Sequence, residues 1–165
     1  MRIALLSDIH ANLVALNTVL DDLDRERIDQ LVFLGDAAVF GPQPREVLAV
    51  LRNLNCLSIM GNTDDWLLNQ TPGNSTDEDS RHLADIYFWC AEQLSSADFE
   101  FVRTFKPTAE IVLSDNTTLL CFHGSPSSCR QAILPTTPDE EFQSMLSGQI
   151  ATVMVGGHTH VQIFR

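Results

Sequence analysis

Apolar and polar positions along the chain fall into blocks that switch between strand and helix periods. Residues 2–6 form a short apolar run stopping at Ser7-Asp8, which predicts a buried strand. Leu13, Leu16, Leu20 and Leu23 then recur at helical spacing, with Asn12 placed as the cap. Residues 31–34 read as a second buried strand ending at Gly35-Asp36. Pro42 and Pro44 mark a loop, and Val47, Leu48, Leu51 and Leu54 stripe a helix entered through Pro44. Residues 56–60 form a third strand, ending at Gly61-Asn62. Alternation of this kind predicts an α/β fold with a mainly parallel sheet and helices on its faces.

The pattern changes in the middle of the chain. Residues 70–79 are polar, with Pro72, Gly73 and an acidic patch from Asp77 to Asp79, and read as a surface loop. Leu83, Ile86, Tyr87, Cys90 and Leu94 stripe another helix, with His82 on its surface. Ser95 with Asp98 opens a short further helix through a capping box. Residues 111–113 and 117–122, joined across Asp115-Asn116, predict a hairpin. Thr137 is placed to cap the last helix, with Pro138 in its first turn and Gly148 stopping it. Residues 152–155 give a final strand ending at Gly156-Gly157.

Composition narrows the classes. The 165 residues, 44% hydrophobic and 19% charged, suit one globular domain over residues 1–165. A net charge of −12 repels phosphate backbones, so a nucleic-acid duplex is not the expected partner. Bound cations would reverse the sign locally, and a small phosphorylated substrate stays compatible with the acidity. The apolar start is too short for a secretory core or a membrane span. Cys56, Cys90, Cys121 and Cys129 contain no C-x-x-C pair, and free thiols fit a cytoplasmic protein.

Five places put a metal-ligating side chain just past an apolar strand: Asp8-Ile9-His10, Gly35-Asp36, Gly61-Asn62, His123-Gly124 and Gly157-His158-Thr159-His160. In open α/β sheets the carboxyl ends of strands share one edge, where ligands bind. Extended alternation is expected to send Asp8 and His10 to one side, and His158 and His160 likewise. Each fragment alone has an ordinary explanation in turn chemistry or a hydrogen-bonded core histidine. Jointly they are more telling, because four of the five histidines lie at predicted strand ends.

Asp8-x-His10, Gly35-Asp36 with Gly41, Gly61-Asn62-x-Asp64, His123 and Gly157-His158-x-His160 together resemble, in order, the calcineurin-like metallophosphoesterase signature. Gly41-Pro42-x-Pro44 and His123-Gly124-Ser125-Pro126 are similar to its small bacterial and archaeal phosphodiesterase branch. The resemblance implies a four-layer α-β-β-α sandwich and hydrolysis of phosphate esters by a hydroxide shared between two divalent metals. It assigns Asp8, His10 and His160 to one metal, and Asn62, His123 and His158 to the other. Asp36 bridges them. Mn²⁺ leads the expected metals, ahead of Fe, Ni²⁺, Zn²⁺ and Mg²⁺. Asp36, Asn62 and Asp64 are the implied catalytic set, with Asp64 orienting a ligand histidine. Some relatives use the fold as a protein-binding scaffold instead, a reading that the complete ligand set argues against.

Two departures stand out. The family's acid histidine is replaced by Thr63, a poor proton donor, which predicts a preference for activated aryl esters. The sequence also stops at Arg165, where relatives continue, so a truncated second sheet is expected. An uncovered strand over residues 161–164 then predicts a homo-oligomer or low stability. Arg45 and Arg130 are the nearest candidate phosphate clamps, while Trp66 and Trp89 read as core or pocket wall. Asn12 could touch substrate as an alternative to its capping role.

Overall fold

The computed structural model describes residues 1–69, 78–146 and 148–165. The elements run β1 (Ile3–Leu6), α1 (Leu13–Leu23), β2 (Gln30–Phe33), α2 (Pro44–Leu54), β3 (Leu57–Ser58) and α3 (Asn62–Asn69). There follow α4 (Glu78–Glu92), α5 (Ser96–Val102), β4 (Ala109–Ser114), β5 (Thr117–Cys121), α6 (Asp139–Met145) and β6 (Val153–Val155). Among the described residues no helix is long and apolar enough to cross a membrane.

Among the described residues two three-stranded sheets form, where periodicity suggested a mainly parallel sheet plus a hairpin. The first, in order β1-β2-β3, is all parallel, with Leu5 beside Val32 and Val32 beside Leu57. The second, in order β4-β5-β6, pairs the hairpin strands antiparallel and then adds β6 parallel to β5. Pattern reading could not see that β6 joins the hairpin, because strand periodicity carries no information about partners.

The period of two explains how the layers stack. On the face of β2 that carries Phe33, Leu6, Leu16, Leu48, Leu51, Leu67 and Phe105 complete the core beneath the helices. On the opposite face, Val32 and Leu34 meet Ile59, Ile111, Leu119 and Cys121, forming a second core between the sheets. The outer face of the second sheet, with Phe122 and Met154, is covered by α6 and the segment 161–165 around a cavity of about 1000 Å³. This is the four-layer sandwich that the resemblance implied, and its fourth layer is thin.

Local signals largely hold. The Asn12 side chain accepts from the Ala15 backbone N–H at 3.0 Å, and Ser95 with Asp98 forms the full capping box of α5. Asn55 ends α2 in the left-handed conformation. Other expectations are corrected. Thr137 does not cap α6; Pro138 takes that place, and the Thr137 hydroxyl accepts from the Leu134 N–H instead. Residues 161–164 form no strand, and Arg165 holds the segment down by bonding the Thr137 carbonyl and stacking over Phe142. The strand predicted over 56–60 shrinks to β3, with Ile59 bridging Lys106. Helix α3 was not foreseen, since its eight residues carry no clear apolar stripe. The expected loop over 70–79 lies outside the described residues up to 77, and α4 starts at Glu78. On α4, Cys90 is buried, but Leu83 and Ile86 remain exposed. His82 is exposed, as expected. All four cysteines are free, two of them buried and two half-buried.

Candidate metal centre

All seven predicted ligands stand beyond the carboxyl ends of β1, β2, β3, β5 and β6, on one rim of the sandwich. The loops leaving β1 and β2 stay zipped together. Asp8 N–H donates to the Gly35 carbonyl at 2.9 Å, His10 to Asp36 at 3.0 Å and Ala11 to Ala37 at 2.7 Å. The second sheet is tied in by the His158 N–H, 3.1 Å from Asp8 Oδ2, while the Gly157 N–H on the His123 carbonyl at 2.8 Å joins that sheet's own two loops.

Extended alternation is not what brings the paired ligands together. Asp8, His10, Asp36, His158 and His160 all have positive φ, between 48° and 73°. Each sits in a left-handed turn, a conformation that costs a non-glycine residue on the order of 1 kcal/mol. Such strain persists only where surrounding bonds over-determine the backbone, and here it falls on five of the seven ligands.

The side chains gather into two groups. Asp8, His10 and His160 offer ligand atoms within 4.8 Å of one another, and Asp36, His123 and His158 do the same. Asp8 Oδ1 is 3.2 Å from His160 Nε2, and His10 Nε2 is 3.2 Å from His160 Nε2. Asp36 Oδ2 stands 3.5 Å from His123 Nε2 and 3.7 Å from His10 Nε2, so it touches both groups. Asn62 Oδ1 is 3.0 Å from His123 Nε2 and joins the second group with its amide oxygen.

The imidazoles are held for ligation. His123 Nδ1–H donates to the Leu34 carbonyl at 2.7 Å, and His10 Nδ1–H to the Val39 carbonyl at 3.1 Å. Both rings therefore turn Nε2 inward, the arrangement by which backbone acceptors fix metal-binding histidines. Three converging imidazoles or carboxylates per group, oriented this way, fit a pair of divalent cations.

Charge reinforces the picture. Burial alone would raise the Asp36 pKa, but the His123 ring and the Thr63 N–H at 2.9 Å outweigh it and hold the carboxyl below its usual range. Burial lowers His123, while the adjoining Asp36 carboxylate prevails and raises it. His158 is lowered, by burial and by the neighbouring His123 charge.

Asp64 has a role other than the one predicted. It touches no histidine. Its carboxylate accepts from the backbone N–H groups of Asp36, Ala37 and Gly61 at 2.8, 2.9 and 3.0 Å. It thus staples the loop that presents Asp36 to the start of α3. Burial and the Asp36 charge push its pKa up to about 6, against those three donors. Gly61 belongs to the same staple: a Cβ there would fall on the Asp36 carboxylate and backbone nitrogen.

The remaining candidates divide. Thr63 is wholly buried, with its N–H on Asp36 Oδ1 at 2.9 Å. Arg130 sits on Asp65 at 2.6 Å, whereas Arg45 is exposed on the first turn of α2. Asn12 is occupied by its cap. Trp66 belongs to the helix-side core, and Trp89 is exposed. Sequence reading missed Phe40 and Tyr87, whose rings line up beside His10. Phe40 lies between the glycine and the carboxylate of a recognised motif, with no periodicity to mark it.

Comparison with known proteins bears on the family and the fold. An uncharacterized protein of Methanocaldococcus jannaschii is 36% identical over 100 residues, 61% of this chain and 40% of that protein. A metallophosphoesterase from Sphaerobacter thermophilus is 29% identical, with a TM-score of 0.71 over 98% of this chain and 61% of that one. A hypothetical protein from Pyrococcus horikoshii OT3, 24% identical with a TM-score of 0.68 over 87% and 63% of the two chains, shares the fold. The chain thus spans between 40% and 63% of the length of these relatives. A family model for the calcineurin-like phosphoesterase superfamily domain matches residues 1–165, and the chain belongs to that superfamily.

Proposed function

We propose that the chain is a metal-dependent phosphoesterase acting on small phosphate esters, phosphodiesters foremost, with two divalent cations. Asp8, His10 and His160 would hold one cation, Asn62, His123 and His158 the other, and Asp36 would bridge them. The observation that carries this reading is the position of Asp36 Oδ2, within 3.7 Å of one group's imidazole and 3.5 Å of the other's. The mixed carboxylate, imidazole and amide set suits Mn²⁺ first, with Fe, Ni²⁺, Zn²⁺ and Mg²⁺ as alternatives. When bound, such a pair supplies Lewis acidity and activates water near neutral pH. Family membership and the 29% identity to a metallophosphoesterase support the same reading. Four free thiols fit a cytoplasmic setting.

The chain's own residues orient and fix. Leu34 and Val39 carbonyls set the two rings, and Asp64 immobilises the Asp36 loop. Residue 63 is sealed from solvent, so it cannot hand a proton to a departing oxygen. General acid assistance is worth roughly 10²–10⁴-fold, and its loss weighs least on leaving groups that depart as stable anions. Activated aryl phosphodiesters should therefore turn over much faster than alkyl ones. The test is hydrolysis of bis(p-nitrophenyl) phosphate and dimethyl phosphate by Mn²⁺-loaded protein, with elemental analysis alongside. Bound metal with aryl turnover supports the proposal; a protein that binds little metal and turns nothing over is a scaffold. Equal rates on both esters would overturn the account of residue 63.

A further inference from the structure

Beside the first metal group stands an aromatic wall. The Phe40 ring lies 5.4 Å from the His10 ring and 5.0 Å, edge-on, from Tyr87, which in turn packs 4.2 Å from Trp66. Trp66 belongs to the core, Tyr87 is half-buried, and Phe40 is 42% exposed. The wall thus runs from the core outward and ends in an open ring at the metal-bearing rim.

The placement of Phe40 is over-determined. Its φ is +80°, a conformation that bulky side chains rarely adopt. Both neighbours tie it to the ligand: the Val39 carbonyl accepts from His10 Nδ1, and a Cβ on Gly41 would strike the His10 carbonyl. A strained backbone that holds a large apolar ring partly in water, against a ligand histidine, gains little for stability. Strain of this kind gathers at ligand clamps. Tyr87 backs the ring and His10 adjoins it, so the wall ends beside the groups proposed to hold the cations.

We infer that Phe40, backed by Tyr87, is a specificity-determining residue that stacks on an aromatic ring in the organic part of the phosphoester. This rests on the phosphoesterase reading, which it deepens by naming the substrate class: phosphates bearing an aryl or nucleobase ring. A ring can lie on Phe40 while its phosphate reaches the cations, whereas an alkyl group finds no comparable face.

Calorimetric titration of Mn²⁺-loaded protein with methyl phosphate, phenyl phosphate and thymidine 5′-monophosphate tests it. Ring stacking of ordinary strength gives at least roughly fivefold tighter binding of a ring-bearing phosphate over methyl phosphate. Phenyl favoured alone marks an aryl substrate, thymidine alone a nucleotide, and both a tolerant ring site. The preference should collapse to within about twofold in Phe40→Leu and return in Phe40→Tyr. Taking the ratio on one preparation cancels any change in metal content. Equal binding of the three phosphates by the unmodified chain, or a preference that survives Phe40→Leu, overturns the inference and leaves the phosphoesterase reading standing. Binding of none of them overturns both.

Discussion

His10 and His160 turn their Nε2 atoms toward each other across 3.2 Å, although 150 residues separate them. The Nδ1–H of His10 is already committed to the Val39 carbonyl, so its Nε2 presents a lone pair. With Asp8 Oδ1 3.2 Å from His160 Nε2, three donor atoms converge on one point. His160→Ala should halve the Mn²⁺ bound per chain, and His123→Ala should do so through the other group. Each should cut hydrolysis of an aryl phosphodiester by at least roughly a hundredfold, the value of several kcal/mol of charge stabilisation. Elemental analysis of reconstituted protein is the check, and an unchanged metal ratio in either variant would refute the assignment.

Replacing Asp64 should cost stability and metal together. Asparagine keeps the shape but turns an amide NH₂ toward backbone donors that now have a carboxylate oxygen. Each orphaned N–H costs about 1–3 kcal/mol when buried. Urea unfolding of Asp64→Asn is therefore expected to show a loss of about 2–4 kcal/mol. A loss under about 0.5 kcal/mol, the size of an ordinary surface change, would remove Asp64 from this role.

Gly61→Ala tests the close approach of α3 to the bridging carboxylate. The added methyl would overlap the Asp36 side chain and backbone nitrogen, which cannot both yield. Asp36 must move, so metal should be lost from both groups at once. Circular dichroism should stay near that of the unmodified chain while bound metal falls. Retention of full metal content would show that the loop has slack.

A pH effect on stability is predicted away from the metal rim, at Asp98. Burial would raise its pKa, but the Ser95 hydroxyl and N–H, and Arg52 at 2.8 Å, overcome this and hold it below the ordinary 3.8. The folded carboxyl thus binds fewer protons than the unfolded one. Its stabilisation is complete above 3.8 and is lost as pH falls through the lower folded value. Asp98→Asn should destabilise by about 1–2 kcal/mol at neutral pH, and the gap should close toward pH 3. Paired denaturation curves at the two pH values measure it; a gap that stays constant contradicts the assignment.

How far the sequence could be read depended on the kind of information each feature carries. The convergence of Asp8, His10, Asp36 and the other candidate ligands was legible because each follows an apolar run and the order of motifs is distinctive. The caps at Asn12 and Ser95 were legible because capping is decided within four residues. Partnering was not: whether β6 joins β2 or β5 is settled by the second core, where Ile111, Leu119 and Cys121 meet Val32 and Leu34. The geometry at His10 and His158 was also hidden, since both histidines sit in left-handed turns where extended alternation does not apply. Asp64 looked like a partner for a histidine because spacing identifies a neighbourhood but not which atoms face one another.

The bonds from His158 N–H to the Asp8 carboxylate have a consequence for the order in which the candidate metal centre is put together. Residues 158 and 160 are made after the other five candidate ligands, 150 positions downstream of Asp8 and His10. Their meeting requires β6 to dock on β5 and the second sheet to close on the first. Contacts of such long sequence separation form late, because their loop entropy must be overcome before they stabilise anything. The Asp8 group is thus completed only after β6 has been made and docked, and a nascent chain lacking β6 holds two of its three side chains, Asp8 and His10. A formed Asp8 group therefore reports that the second sheet has closed on the first.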